Sequence, residues 1–398
     1  MSPNQRGAYY MGRRERLAYL KQIYDRYHRA GRKEKKVILD EFTAVCDYDR
    51  KHAIRLLSKK PKNRVRKRAG RKPVYKTSCV EKFIRTVWVM ADQPCSKRLK
   101  SDLPEWLPAY EEEYGHLSGS DREKSLSISP ASIDRLLKPV RDKFARKRFC
   151  TTKPGSLLKT QIPIRTNHWD VTKPGYMEAD TVAHCGGCID GDYAHSLTLT
   201  DIHTTWTECR AVWCKGAEGV LKQVKDIQDA LPFELRGFDS DNGSEFINYH
   251  FVRYFSDTEI QFTRSRPYKK NDNAYVEEKN WTHVRHLFGY ERFDNQTLVP
   301  LMNDLYAKEW SLYQNHFRST MKLVKKTRVG SKYRKEYDIP VTPYRRVMEC
   351  KDVSDDMKQK LKEVHDSLNP FKLKKSIDAK AKAIFKSVLF LNKPRKRI

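Results

Sequence analysis

Three carboxylates are spaced so that they could share a divalent cation. Asp241 closes a short apolar run, residues 235–238, and is followed by the turn signal Asn242-Gly243. The end of a strand in an α/β sheet is a common position for a site residue. Glu277 falls in residues 273–287, which carry helical periodicity, and it shares a predicted face with Asn280, Trp281 and Val284 at +3, +4 and +7. Thirty-five residues separate Asp241 from Glu277. A strand-end carboxylate and a helix carboxylate can converge on a hard cation such as Mg²⁺, which takes oxygen ligands. A third carboxylate is then expected on an upstream strand, and Tyr176-Met177-Glu178-Ala179-Asp180-Thr181-Val182 offers Asp180. Asp239 and Glu278 are near neighbours with the wrong spacing, and Glu278 points about 100° around the helix from Glu277.

The elements that must position these groups are legible as periodicities. Strands are predicted over 175–182, 193–201, 206–214, 235–238 and 260–262, with helices over 216–230, from Ser244 onward, 273–287 and 297–313. Three strands as a meander, followed by alternating helices and strands, predict an α/β core with a mixed five-stranded sheet flanked by helices over 171–315. The loop 264–273 carries Arg264, Arg266, Lys269 and Lys270 and is expected to order around a bound substrate.

This stretch resembles the catalytic core of the DDE transposases and retroviral integrases, and is most similar to integrase-core transposases of bacterial insertion sequences. The resemblance rests on the D,D-35-E spacing, on Asp-Asn-Gly after the fourth strand, on the basic segment 264–271 before the last helix, and on Asn280 three residues after the glutamate. It covers residues 150 to 350. It implies an RNase H-like fold, catalytic and metal-holding roles for Asp180, Asp241 and Glu277, and two Mg²⁺ or Mn²⁺ ions per site. It also implies cleavage at element ends followed by transfer of the 3′-OH into target DNA. A regulator descended from a transposase, or an RNase H-like nuclease, would share much of the sequence pattern.

Composition points to the same partner. The 398 residues carry a formal net charge of +30, with 38% hydrophobic residues and no apolar run of membrane-spanning length. Such an excess implies a polyanion, and the spread of the cations over several segments favours nucleic acid over a membrane surface, with double-stranded DNA the partner that the resemblance implies. Residues 1–16 hold no apolar segment of the signal-peptide type. Nine cysteines at scattered spacings suggest a reducing compartment. The chain is therefore expected in the cytoplasm on the nucleoid in a bacterium, or in the nucleus of a eukaryote. His184-Cys185-Gly186-Gly187-Cys188 has zinc-like spacing but no second pair, so zinc is not expected.

Residues 1–60 read as three helices with apolar stripes at Leu17, Leu20, Ile23 and Tyr24 and at Val37, Ile38, Phe42 and Val45, which suits a helix-turn-helix type of DNA-binding unit. Residues 61–76 form a basic linker with Arg64, Arg66, Lys67, Arg68, Arg71 and Lys72 able to lie along phosphates. Residues 77–150 form a second helical unit, with breaks expected at Pro104 and Pro108 and a polar loop over 118–124. Its last helix starts at Ser129-Pro130, runs to about residue 144 with a kink at Pro139, and carries Arg135, Lys138 and Arg141 as candidate DNA contacts. A linker follows over 151–170. Residues 316–398 form a basic region whose interleaved tyrosines suit phosphate and base contacts, with weak support for a small β unit at Val341-Thr342 and two final helices over 352–367 and 372–389. A homodimer or higher homo-oligomer on DNA is expected.

Overall fold

The computed structural model describes residues 11–60, 74–75, 77–142, 172–241, 243–265, 274–329 and 331–391. The basic linker residues Arg64, Arg66, Lys67, Arg68, Arg71 and Lys72, and the loop cations Arg266, Lys269 and Lys270, lie outside them. So does most of the loop expected to order around substrate. The chain divides into two compact units, Met1–Lys72 and Pro73–Ile398.

The first unit is α1 (Arg13–Arg29), α2 (Arg32–Cys46) and α3 (Arg50–Leu57). Its core is built on Leu20, Ile23, Ile38, Leu39, Phe42, Ala53 and Leu57. Leu17, Val37 and Val45 belong to the sequence stripes but are exposed. Three short helices bury only a narrow seam each, so the edges of each stripe stay in water.

The second unit begins with α4 (Ser78–Met90), α5 (Ser96–Tyr114), α6 (Gly119–Ser127) and α7 (Pro130–Arg141). Helix α5 runs unbroken through Pro104 and Pro108, against the expected breaks. Both prolines are exposed and four residues apart, so the carbonyls they leave unbonded face water. The opposite face buries Leu99, Leu103, Trp106, Leu107 and Tyr110, and that packing outweighs the lost bonds. The stretch read as a polar loop is α6, because the Ser118 hydroxyl accepts from the Asp121 amide and caps it. Helix α7 likewise passes through the exposed Pro139 and ends at Arg141.

The sheet follows: β1 (Tyr176–Ala183), β2 (Ala194–Asp201), β3 (Thr207–Trp213), α8 (Ala217–Ala230), β4 (Gly237–Ser240), α9 (Tyr249–Asp257) and β5 (Gln261–Arg264). Strand order is β3-β2-β1-β4-β5. β1, β2 and β3 are antiparallel, whereas β4 and β5 run parallel to β1. This mixed five-stranded sheet, flanked by helices and preceded by an all-helical region, fits the core that the resemblance implies. The helix expected from Ser244 starts only at Tyr249, where the Asn248 side chain accepts from the Phe251 amide.

Next come α10 (Ala274–Lys279), a π-helical turn (Asn280–Arg285) and α11 (His286–Phe288), then α12 (Leu298–Leu305), a second π-helical turn (Tyr306–Trp310) and α13 (Ser311–Phe317). The first π turn breaks the face predicted from Glu277. Val284 is fully buried while Trp281 is exposed, because the wider turn changes the angular step per residue. A hairpin, β6 (Leu323–Val329) with β7 (Lys332–Tyr337), and three helices, α14 (Pro343–Glu349), α15 (Asp355–Ser367) and α16 (Pro370–Leu391), complete the chain. The hairpin and α14 go beyond the sequence expectation.

Two cores cover the two faces of the sheet. Met177, Leu199 and Phe238 pack with Val224, Phe251, Phe255 and Val347 of α8, α9 and α14. Val182, Ala194 and Ala211 pack with Phe288, Tyr306 and Trp310, and the same cluster takes in Phe83, Trp106 and Ile133 of α4, α5 and α7 and Phe371 of α16. The helices of 78–141 thus share one core with the sheet.

A polar latch closes the seam between α5, α14 and α15. Glu105 accepts from Arg345 Nε at 2.9 Å and pairs with His365 Nε2 at 3.5 Å, while the His365 ring stacks on Tyr344 at 4.2 Å. The His365 bond and the Arg345 guanidinium hold the Glu105 carboxyl down at about 2, below its ordinary 4.5. A depressed carboxyl stabilises the fold above its unfolded value and stops doing so as pH falls through its folded value. Between pH 4.5 and 2 the parent should therefore lose stability faster than Glu105→Gln, by on the order of 2 kcal/mol across the window. Urea midpoints against pH test this, and parallel curves for the two proteins would refute it.

Candidate active site

β1 and β4 bring the first two carboxylates together by register. Ala179 pairs with Ser240 in the parallel β1–β4 ladder. The next residues, Asp180 and Asp241, therefore emerge side by side at the sheet's centre, where the chain leaves β4. Asp241 Oδ1 accepts from the Gly243 amide at 2.9 Å, closing a tight turn. Gly243 cannot be replaced there without movement, since a Cβ would lie 2.6 Å from Glu245 Oε2 and 2.8 Å from Asp241 Oδ1.

The same turn delivers a fourth carboxylate, Glu245, which the sequence reading passed over. It is buried, and its Oε1 accepts from Thr181 Oγ1 at 2.7 Å and from Lys215 Nζ at 2.9 Å. Burial and the charge of Asp241, with Glu245 behind it, push the Asp180 carboxyl up to about 7. Burial and Glu245 raise Asp241 too. Burial would raise Glu245, but Lys215 and Thr181 hold it below its ordinary value. Lys215 is raised against its own burial by Glu245, Asp241 and Asp180. One ammonium thus faces three carboxylates. Both Glu245 and Lys215 had a weak signal: acid four residues after Asp241, and a lysine just past a strand end.

The third motif carboxylate arrives on a helix that β1 itself holds down. Glu178, Asp180 and Val182 alternate onto the β1 face that α10 crosses. The fully buried Glu178 accepts from the Tyr275 and Val276 amides at 3.0 and 3.2 Å, satisfying two donors of the first turn of α10. Two residues on, Asp180 Oδ2 accepts from Asn280 Nδ2 at 2.5 Å, pinning the far end of that helix. Arg98 of α5 pairs with Glu278 at 2.7 Å from outside. Glu277 lies one residue before that pair and is exposed. Asn280, expected at the DNA, thus spends its amide on Asp180, and its buried Oδ1 has no hydrogen-bond partner among the described residues.

Removing the Glu178 carboxylate strands two helix amides. Glu178→Ala should cost about 1–3 kcal/mol of stability, and Glu178→Gln, which keeps an acceptor, should recover most of it. Chemical denaturation checks this, and equal losses in the two variants would show that the amides are not what matters.

Asp180, Asp241 and Glu245 lie close enough for their charges to act within the group, and Glu277 is presented by α10. Among the described residues, no three His, Cys, Asp or Glu side chains are grouped closely enough to hold one metal ion. The donor set nevertheless fits a hard cation. Beyond burial, Asp180 is raised by the charge of Asp241, and Asp241 by that of Glu245, and a divalent ion relieves such repulsion. Of the candidate DNA contacts, Arg135 and Lys138 are exposed on α7, Arg141 pairs with Asp134 at 2.5 Å, and Arg264 is buried at the end of β5. The Cys185–Cys188 loop is held by Arg292, whose Nη1 donates to the carbonyls of Cys185 and Cys188 at 3.1 and 2.7 Å. His184 is buried, its Nε2 on Ser196 at 2.7 Å and its ring stacked on Phe293.

No profile of a known protein family matches the chain. The uncharacterized protein y4rM of Sinorhizobium fredii is 37% identical to it over 334 residues, which is 83% of this chain and 94% of that protein. The chain belongs to the y4rM family. The catalytic core domain of BIV integrase is similar at 15% identity and a TM-score of 0.27, over 43% of this chain and 91% of that one. Among the described residues, no helix of this y4rM-family chain is long and apolar enough to cross a membrane.

Proposed function

We propose that this protein is a DDE-type DNA transposase or integrase, which cleaves the ends of a mobile element and joins the freed 3′-OH to target DNA. The observation that carries this reading is the emergence of Asp180 and Asp241 side by side from β1 and β4, with the helix of Glu277 pinned across them through Asn280. Asp180, Asp241 and Glu277 would hold the metal. Mg²⁺ or Mn²⁺ bound there would supply activation of the attacking oxygen and stabilisation of the leaving 3′ oxygen in an in-line displacement at phosphorus.

The chain's own residues do the rest. Asn280 orients Asp180, and Glu178 sets the angle at which α10 presents Glu277. Lys215 offsets the charge of Glu245 beside the two aspartates. Arg135 and Lys138, with the linker cations Arg64, Arg66, Lys67, Arg68, Arg71 and Lys72 and the loop cations Arg266, Lys269 and Lys270, bind phosphates. The helices of residues 1–60 read the element end. The working form is a homo-oligomer on duplex DNA. No covalent protein–DNA intermediate is required, so no serine or tyrosine nucleophile is needed.

A labelled duplex carrying the element's terminal repeat tests this directly. Incubation with Mg²⁺ should yield nicked ends and joined products, and EDTA should abolish both. Duplex binding without any metal-dependent cleavage would mark the protein as a regulator instead.

A further inference from the structure

The hairpin of β6 and β7 makes no use of the protein's core. All seven residues of β6 and all six of β7 are exposed. A lone two-stranded hairpin is marginal in water, so its persistence on the surface calls for a role outside the fold. Its base, by contrast, is fastened tightly. Asp338 Oδ1 accepts from the Lys322 amide at 2.6 Å and Asp338 Oδ2 pairs with Arg346 at 2.8 Å. Lys322 Nζ donates to the His203 carbonyl at 2.8 Å, and Thr320 bridges to Val341. A rigid root thus carries a bare arm.

The arm's chemistry is one-sided. It carries Lys325, Lys326, Arg328, Lys332, Arg334 and Lys335 against the single acid Glu336. Cross-strand register sorts these onto two faces. Lys326 with Lys335 and Arg328 with Tyr333 lie on one, together with Tyr337. Lys325 with Glu336, Thr327 with Arg334 and Val329 with Lys332 lie on the other. Both faces are therefore cationic, which a protein surface or a membrane plane would meet on one side only. The lysine-rich strands also discourage pairing with a further strand from a second copy.

We propose that this ribbon enters a groove of duplex DNA, with its two faces turned to the phosphates on either side; the inference rests on the DNA-joining reading above and names where the duplex is held. A strand of six or seven residues spans about 20 Å, and a two-stranded ribbon fits a major groove about 12 Å wide.

The test uses the full chain and random-sequence duplexes at a series of salt concentrations, with no metal and no cleavage readout. Two triple variants each strip one face: Lys326→Ala/Arg328→Ala/Lys335→Ala and Lys325→Ala/Lys332→Ala/Arg334→Ala. Each should flatten the slope of log affinity against log salt by about 1 to 3, since each phosphate contact contributes about 0.9. Melting temperature should stay close to the parent value, because the strand residues are exposed. As a second variant, a Gly-Gly link in place of residues 323–337 should lose both increments. Parental slope and affinity in all three variants would overturn the ribbon inference while leaving the joining assay to decide the function. Loss of binding to phosphatidylserine vesicles with unchanged duplex binding would overturn it in favour of a membrane. A parent chain that binds no duplex at all would overturn both readings.

Discussion

Asp180→Asn and Asp241→Asn should each reduce metal-dependent cleavage and joining by on the order of a thousandfold or more. A metal clamp on phosphoryl oxygens is worth several kcal/mol, and each 1.36 kcal/mol is a factor of about ten. The two aspartates leave the sheet together and press on each other electrostatically. Exchanging either for an amide removes a charge the cation needs but leaves the backbone and the ladder untouched. Glu277→Gln should lose as much, since that side chain sits on the helix tied to Asp180. Duplex affinity should remain that of the parent in all three. Labelled-duplex turnover beside a binding isotherm decides it, and joining at the parental rate in any one variant would remove that residue from the site.

The second large effect is on stability. Trp106→Ala should destabilise the second unit by about 3–5 kcal/mol. The indole is fully buried, lies edge-on to Tyr313, Phe317 and Phe371, and donates from Nε1 to the Phe317 carbonyl at 3.1 Å. Three elements distant in sequence meet on one ring. The neighbouring bonds tell the same story, with Tyr313 donating to the Met90 carbonyl at 2.7 Å and the Ser319 amide to Asp102 at 3.0 Å. Urea denaturation gives the number, and a loss under about 1 kcal/mol would mean the site collapses around the missing ring. The same contacts bear on dissection. A fragment ending at residue 150 keeps Trp106 but none of its aromatic partners, whereas a cut near Lys72 divides the two compact units.

What could be read from the residues follows a physical pattern. β2 and β3 were legible because runs of β-branched and apolar residues end in turn signals. Asp180 was legible only as a carboxylate on an upstream strand, and its place beside Asp241 was not, since sheet register is not written locally. Pro104 and Pro108 misled because propensity describes an isolated helix, whereas Trp106 and Leu107 decide this one in the core. Glu178 looked like one more acid on a strand. Its role depends on where a helix almost a hundred residues later begins, and no local pattern carries that. The ribbon was hidden for the opposite reason. With no buried face there is no apolar alternation to find, so Lys325 to Tyr337 reads as basic residues interleaved with tyrosines, suited to phosphates, but not as two paired strands.

The two π-helical turns put a constraint on how this lineage can change length. Each turn takes up a residue that a regular helix of the same span would not need. In the first, the wide turn absorbs that residue, so that Asn280 reaches Asp180 at one end while Val284 and Phe288 stay buried at the other. Losing one residue between 281 and 285 would restore the regular winding with the two ends still in register, whereas gaining another would turn them about 100° against each other. The helix could then keep its grip on the carboxylate or its place in the core, but not both. Further one-residue insertions should thus be excluded here in working relatives, while a one-residue gap is absorbed.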